Sequence, residues 1–511
     1  MAIVTLHSGR RYDIIIRNGR VLDGTGNPWY SADIAFRRGT IVAVGDLSED
    51  RGREEINATG LTVTPGFIDT HSHAGPGLAS AELSHARPLL AQGITTVFVN
   101  PDGGGAFNNL IKQKEELLKH NLGVNVAQFI SHGTIRREVI GMDNKKPTLL
   151  EQQKMRELVK TAMEAGSWGL SSGTFYAPGS YSQPDEIVDL ATVVAEYDGV
   201  YQSHIRDEAN YTIGVVAAVE EVIDVARRAN LPVVVTHIKA LGPSVWGKSK
   251  EIVKLMNEAR EEGLEVYADQ YPYTASATGL SAALLPRWVQ AGGKDSLLIR
   301  LQDPVNREKI KIEMEKNLAR RGGADRIQFR RVEFNESLEG KKLDKVADEF
   351  EMNPIDASVK LMMQGNTGII SFNMNDMDVH TFMGQNWTMT ASDGGLVPWM
   401  QGVPHPRSYG AFSQKIEKYV IEENVIGLSY AIKSMTFLPA TVYRMVDRGI
   451  IREGAVADVI VFDPAKIRNM ATYTKPHQLA EGMTHVFVNG ESAIRNGAFT
   501  GALAGVVLHK R

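Results

Sequence analysis

The 511-residue chain contains no cysteine. That absence excludes disulfides, iron–sulfur clusters, thiolate zinc sites and a cysteine nucleophile. Metal ligands, if there are any, must be His, Asp, Glu or another oxygen donor. A dominant charge sign is also missing: 56 basic against 60 acidic residues leave a formal net charge of −4. The bases are interspersed with acids, so there is no electrostatic footprint for nucleic acid. No window approaches the roughly 18 apolar residues that a membrane-spanning helix needs. The start, MAIVTLHSGRRYDIII, has no basic stretch leading into an apolar core and does not read as a signal peptide. The expectation is a cytoplasmic protein with no membrane partner. What is present, 43% hydrophobic and 23% charged residues, rules out a wholly disordered or collagen-like chain.

Short strands crowd both ends. Tyr12–Ile16 runs into Asn18-Gly19, a hairpin-type dipeptide, and Asp33–Phe36 meets Arg38-Gly39 before Ile41–Val44. Near the other end lie Ala457–Phe462 and His485–Val488, the latter before Asn489-Gly490. The termini are therefore expected to pair into one β domain, residues 1–64 with 441–511. The middle, residues 65–440, alternates apolar runs with helical patterns. Candidate strands are Gly66–Asp69, Thr95–Val99, Val126–Ile130, Gly169–Ser171, Val200–Ser203, Val233–Thr236, Glu265–Ala268 and Trp387–Thr390. Ile187, Leu190, Ala191 and Val194 follow Pro184 at helical spacing. Eight such strands suit an α/β fold, a TIM-like (β/α)8 barrel whose strands are buried on both faces. The stretch from about 285 to 376 is too long for one barrel connection. With its Lys-rich helix around Lys309–Arg321, it reads as an inserted α/β subdomain.

Four histidines stand at predicted strand ends: His71, His73, His204 and His237. The period-two spacing of His71 and His73 points both side chains to one face. Barrel active sites lie at the C-terminal strand ends, and four imidazoles gathered there suit Zn²⁺ or a similar divalent ion. His132 also ends a strand, with a place behind the ligands or simple packing both open. His7, His120, His477, His485 and His509 lack such a context. Asp393, in Thr390-Ala391-Ser392-Asp393-Gly394, follows the last barrel strand. A metal lowers the pKa of bound water, and a carboxylate at that position can carry that water's proton to a departing amine.

These residues resemble the amidohydrolase superfamily, and within it the N-acyl-D-amino-acid deacylase (D-aminoacylase) family. The likeness covers almost the whole chain. It rests on PGFIDTHSH (65–73), QGITTVFVNPDGGG (92–105), GLSSGTFYAPGSY (169–181), YQSHIRDE (201–208), THIKALG (236–242), YPYTAS (271–276), TASDGG (390–395), HPRSYG (405–410) and IREGAVADVIVFDP (451–464). The resemblance implies a TIM-like barrel with a small β-sandwich made from both termini. It implies metal ligation by His204 and His237, a second and weaker or vacant metal position at His71 and His73, and Asp393 as catalytic base. Lys239 and Arg407 resemble groups that hold a substrate carboxylate, and Tyr176 and Tyr271 resemble pocket tyrosines. The implied partner is a small substrate bearing a carboxylate. The sequence leaves open whether copies of the chain associate.

The chain departs from the family at one place. Family members usually carry a metal-binding Cys in a G-N-C-G-like pattern after the second strand. Here Asn100-Pro101-Asp102-Gly103 stands in its place, and Asp102 aligns with the thiol. A carboxylate is a harder ligand, so metal preference is open to Mn²⁺, Fe²⁺ or Co²⁺ besides one or two Zn²⁺. Pro-Asp-Gly-Gly is equally good turn chemistry. The expected activity is metal-dependent hydrolysis of the amide of N-acyl-D-amino acids. Two rivals stand beside it: a hydantoinase- or dihydroorotase-like cyclic-amide hydrolase, and a catalytically silent homologue. A carboxylated Lys after the fourth strand, another superfamily solution, is not expected, because residues 169–181 contain no Lys.

Overall fold

Two parallel sheets hold the strands that the apolar runs predict, as seen in a computed structural model that describes residues 11–105 and 109–510. The barrel strands are numbered β1 (Phe67–Asp69), β2 (Ile94–Val99), β3 (Asn125–Gln128, resuming at Ile130–Ser131), β4 (Gly169–Gly173), β5 (Val200–His204), β6 (Val233–Val235), β7 (Val266–Gln270) and β8 (Thr388–Thr390). Every residue of β2 and β6 is buried, which is why these strands read as unbroken apolar runs. Phe129 interrupts β3, whose first part pairs with β2 and whose second part pairs with β4. The remaining seam, between β1 and β8, is closed by loop contacts. Asp393 N–H donates to the His71 carbonyl (2.9 Å), and His73 N–H donates to the Gly394 carbonyl (2.8 Å). Inside the barrel, Ile68, Phe98, Ala127, Phe129, Val200, Val234 and Met389 form one apolar cluster, with Tyr443 packed on Phe98 at 4.3 Å. That packed interior leaves the upper rim as the place for chemistry.

The helices lie outside, as their patterns require. Pro184–Ala195 begins on Pro184 and buries Ile187, Leu190, Ala191 and Val194. Val215–Ala229 ends at Asn230, whose left-handed backbone (φ 54°) stops the helix.

The chain ends share a separate nine-stranded sheet, joined where Val459–Phe462 runs antiparallel to Thr62–Pro65. Arg38-Gly39 and Asn489-Gly490, all four at positive φ, make the expected tight hairpins. Asn18-Gly19 does not. It lies inside the single strand Arg11–Val21, where the register slips between Ile16 and Gly19. Asn18 (φ 58°) therefore makes a β-bulge, a geometry that the same left-handed residue serves equally well.

Between β7 and β8 lies a small α/β unit. Its three-stranded sheet joins Ser276–Gly279, Thr367–Ser371 and Ile327–Val332, backed by the helix Pro304–Arg320. Its own apolar core includes Leu284, Ile310, Met314, Phe329 and Leu361. It stands over the C-terminal ends of the barrel strands and walls one side of the cavity described next.

Candidate metal centre and active site

Strand β5 ends in His204, histidines follow β1 and β6 within a few residues, and all four imidazoles converge on one carboxylate. Asp102 Oδ1 lies 3.3 Å from His71 Nε2, 3.5 Å from His204 Nδ1 and 3.3 Å from His237 Nε2. Its Oδ2 lies 3.3 Å from His73 Nε2. The rings of His204 and His237 are 4.4 Å apart, and those of His71 and His237 are 4.8 Å apart. Asp393 closes the group from β8, with Oδ1 at 3.7 Å from His71 Nε2 and 3.2 Å from His73 Nε2. Two ligand sets result: His71, His73, Asp102 and Asp393, and Asp102, His204 and His237. Asp102 belongs to both.

The backbone holds this arrangement in conformations that side-chain-bearing residues seldom adopt. Asp102 (φ 56°), His237 (φ 36°) and Asp393 (φ 49°) are all in the left-handed region. Two buried carboxylates hold His237, His71 and the residue next to Asp393. Asp269 accepts the His237 N–H at 2.5 Å and the Thr70 hydroxyl at 3.1 Å. Asp69 accepts the Ser392 N–H at 2.8 Å and the His71 N–H at 3.3 Å.

The donors fit a divalent cation. Both ring nitrogens of His71 and of His204 are buried without a hydrogen-bond partner, a costly state for an imidazole unless something else binds it. The charge balance points the same way. Burial and nearby Lys239 push the His237 pKa down, yet Asp102 and Glu208 outweigh them and hold it at about 10. A ring so placed between carboxylates calls for positive charge. Burial pushes the Asp393 carboxyl up, but Arg407 beside it prevails and keeps it well below the usual range.

The remaining expected residues lie around the same cavity, of about 460 Å³. Arg407 Nη1 pairs with Asp393 Oδ2 at 2.7 Å. Lys239 Nζ pairs with Glu208 and sits 2.7 Å from His237 Nδ1. Both cations lie over the Tyr271 ring, Arg407 at 4.7 Å and Lys239 at 5.5 Å. The Tyr176 ring is 4.6 Å from that of His204, and its hydroxyl is 3.2 Å from Thr278 Oγ1.

Other histidines are occupied elsewhere. His132 Nε2 meets Glu186 Oε1 at 2.8 Å, and Arg136 binds the same carboxylate, so His132 belongs to a buried ion-paired cluster at the start of the helix His132–Val139. His477 bridges the Tyr409 hydroxyl and the Gly402 carbonyl, His485 stacks on Phe487, His509 contacts Lys114 and His120 is exposed. His7 lies outside the described residues.

Glu208 is a site residue that sequence reading passes over. Its Oε1 is 3.2 Å from His237 Nδ1, and its Oε2 is 3.6 Å from His204 Nε2. The available signal was its place four residues after His204. Asp69, which ends β1, and Asp269, one residue before the end of β7, escape sequence reading as well.

A family model described as "Amidohydrolase family" matches residues 54–297 and 370–494. The chain belongs to the amidohydrolase family. It is 30% identical to a D-aminoacylase of Alcaligenes xylosoxydans xylosoxydans, over 97% of both chains. A solved N-acyl-D-glutamate deacylase of Bordetella bronchiseptica, complexed with zinc and a phosphonate mimic of the tetrahedral intermediate, superposes with a TM-score of 0.85 at 31% identity. That match covers 98% of this chain and 100% of the other. An L-hydantoinase of Arthrobacter aurescens shares the fold alone, at 14% identity and a TM-score of 0.60 over 98% of this chain and all of the other. No helix among the described residues is long and apolar enough to cross a membrane.

Proposed function

We propose that this amidohydrolase hydrolyses N-acyl-D-amino acids to a carboxylate and a free D-amino acid. One observation carries the reading: a four-histidine cluster around Asp102 adjoins a carboxylate, Asp393, already paired with the guanidinium of Arg407. The D configuration rests on the likeness to D-amino-acid deacylases.

His204, His237 and Asp102 would hold one ion, and His71 and His73 with the shared Asp102 a second, weaker one; Zn²⁺ suits the imidazoles, while the harder Asp102 oxygen also admits Mn²⁺, Fe²⁺ or Co²⁺. When bound, such an ion supplies Lewis acidity and a water of lowered pKa. Asp393 Oδ1 takes the proton of the attacking water as its oxygen bonds to the acyl carbon, and then returns that proton to the leaving nitrogen as the amide C–N bond breaks. Arg407 Nη1, on the other oxygen, keeps Asp393 ionised and ready for that proton. The hydroxyl of Tyr176, kept protonated by burial, donates to the oxyanion of the tetrahedral intermediate. Lys239 and Arg407 hold the substrate α-carboxylate above Tyr271 with the N–H groups that Glu208 and Asp393 leave free. Lys239 pairs with Glu208 as well, which aligns the ammonium and His237 Nδ1 together.

The test is a parallel assay of N-acetyl-D- and N-acetyl-L-amino acids and a hydantoin with metal-replete protein. Turnover of the linear D series is expected. Ring opening without linear hydrolysis would replace this reading with the cyclic-amide one, against which the Lys-free end of β4 already counts.

A further inference from the structure

The inserted unit sends two arginines, Arg321 and Arg330, to the cavity wall. Their Nε atoms are buried without a hydrogen-bond partner. Arg321 is fully buried, with Nη1 tied to Ser371 Oγ at 2.9 Å, and its guanidinium lies 6.0 Å from the Tyr211 ring. Arg330 has no such tether: among the described residues its guanidinium makes neither a hydrogen bond nor an ion pair.

The strand Ile327–Val332 is built to aim Arg330 inward. Phe329 pairs with Ile369 and Arg331 with Gly368, so Arg330 is the extra residue of a β-bulge. Bulges redirect a side chain, and the effect is visible in the next residue. Arg331 points away and pairs with Glu336 and Glu339. Across the strand, a Cβ on Gly368 would stand 2.9 Å from Arg330 Nε and 3.1 Å from its Cζ, so the glycine leaves the guanidinium room where it now lies. The bulge is pinned from the site side as well, since the Arg330 carbonyl accepts the Val403 N–H at 2.8 Å, two residues before His405.

The charges of the cavity can be paired off. Lys239 is answered by Glu208 and Arg407 by Asp393. Of the other cations lining the cavity, Arg137 is exposed and Arg321 is tied to Ser371, whereas Arg330 has no ion-pair partner among the described residues: Asp393 is near enough to attract it and Arg407 near enough to repel it. A partly buried cation without a counter-charge destabilises the fold, and here no structural partner offsets the cost. A substrate with one carboxylate would leave Arg330 unpaired still. A dicarboxylate would not, because an acidic side chain carries its charge only a few bonds from the α-carboxylate held at Arg407.

We propose that Arg330 is a specificity-determining residue that receives the side-chain carboxylate of acidic substrates, the N-acyl-D-glutamate and N-acyl-D-aspartate class. This rests on the deacylase reading above and names the substrates of the same site.

The test compares kcat/KM for N-acetyl-D-glutamate and its near-isosteric amide, N-acetyl-D-glutamine, in the metal-replete wild type and in Arg330→Met and Arg330→Lys. The wild type should prefer the acid. Arg330→Met should lower kcat/KM for the acid roughly 100-fold more than for the amide, chiefly through KM, because a charge-assisted bidentate contact is lost. Arg330→Lys should recover part of that difference, since charge returns without the fork. Equal losses on both substrates would overturn the proposal by making Arg330 an α-carboxylate or structural group. So would a wild type that prefers the amide. A wild type that cleaves no N-acyl-D-amino acid overturns the deacylase reading itself, an outcome distinct from the other two.

Discussion

Asp102 sits where four imidazoles meet, at the place where relatives of this kind are expected to carry a thiolate. A carboxylate there keeps the negative charge but hardens the donor. Asp102→Ala should abolish tight metal uptake, whereas Asp102→Cys should keep it and shift the preference toward zinc over manganese. Elemental analysis after competitive loading reads both. Asp393→Asn should keep metal content and lower kcat by roughly 10²- to 10⁴-fold, the usual weight of a positioned general base. Near-wild-type turnover in that variant would remove Asp393 from the proton path. Glu208→Gln strips Lys239 and His237 Nδ1 of their shared carboxylate. Partners of this kind typically govern 10- to 100-fold in metal affinity or activity, and kcat/KM should fall by about that amount.

At the scale of elements, what the sequence discloses depends on whether a signal is local. Parallel strands buried on both faces write themselves as apolar runs, so Val233–Val235 and Ile94–Val99 are legible, and with them the strand-end histidines. Arg330 is not, because the bulge that turns it exists only in the pairing of two strands nearly forty residues apart. Glu208 escapes for a similar reason: its meaning lies in Lys239 and His237, which another strand delivers. Asn18-Gly19 misleads because a left-handed Asn serves a bulge as well as a turn. One helix carries a liability of its own. Lys415 begins the wide-turned segment Lys415–Glu422 and is buried, with only the hydroxyls of Thr390 (2.7 Å) and Ser434 (2.8 Å) for company. Burial pulls its pKa from 10.5 to about 7. Between those values the unfolded chain binds a proton that the folded chain does not, so stability rises with pH from about 7 to about 10.5 and is lower by a few kcal/mol below that window. Lys415→Met should therefore raise Tm at pH 7 and flatten that rise, as a thermal-unfolding series across pH would show.

For the whole molecule, the barrel supplies a packed floor, the terminal sheet flanks it, and the inserted unit closes one side of the cavity. Strand ends far apart in sequence thereby share one centre above an apolar interior. Filling that centre with a cation should displace the proton of His237, so uptake should release protons and weaken on acidification. Calorimetry in buffers of different ionisation enthalpy would measure that release. Metal should also stabilise the fold in proportion to its occupancy, raising Tm with concentration.

The most direct test of the account is an anomalous-difference map at the zinc edge from crystals of the zinc-loaded protein. It should show a peak within bonding distance of Asp102, His204 and His237, with any second peak between Asp102, His71 and His73. A loaded, active protein whose metal lies away from these side chains would contradict it.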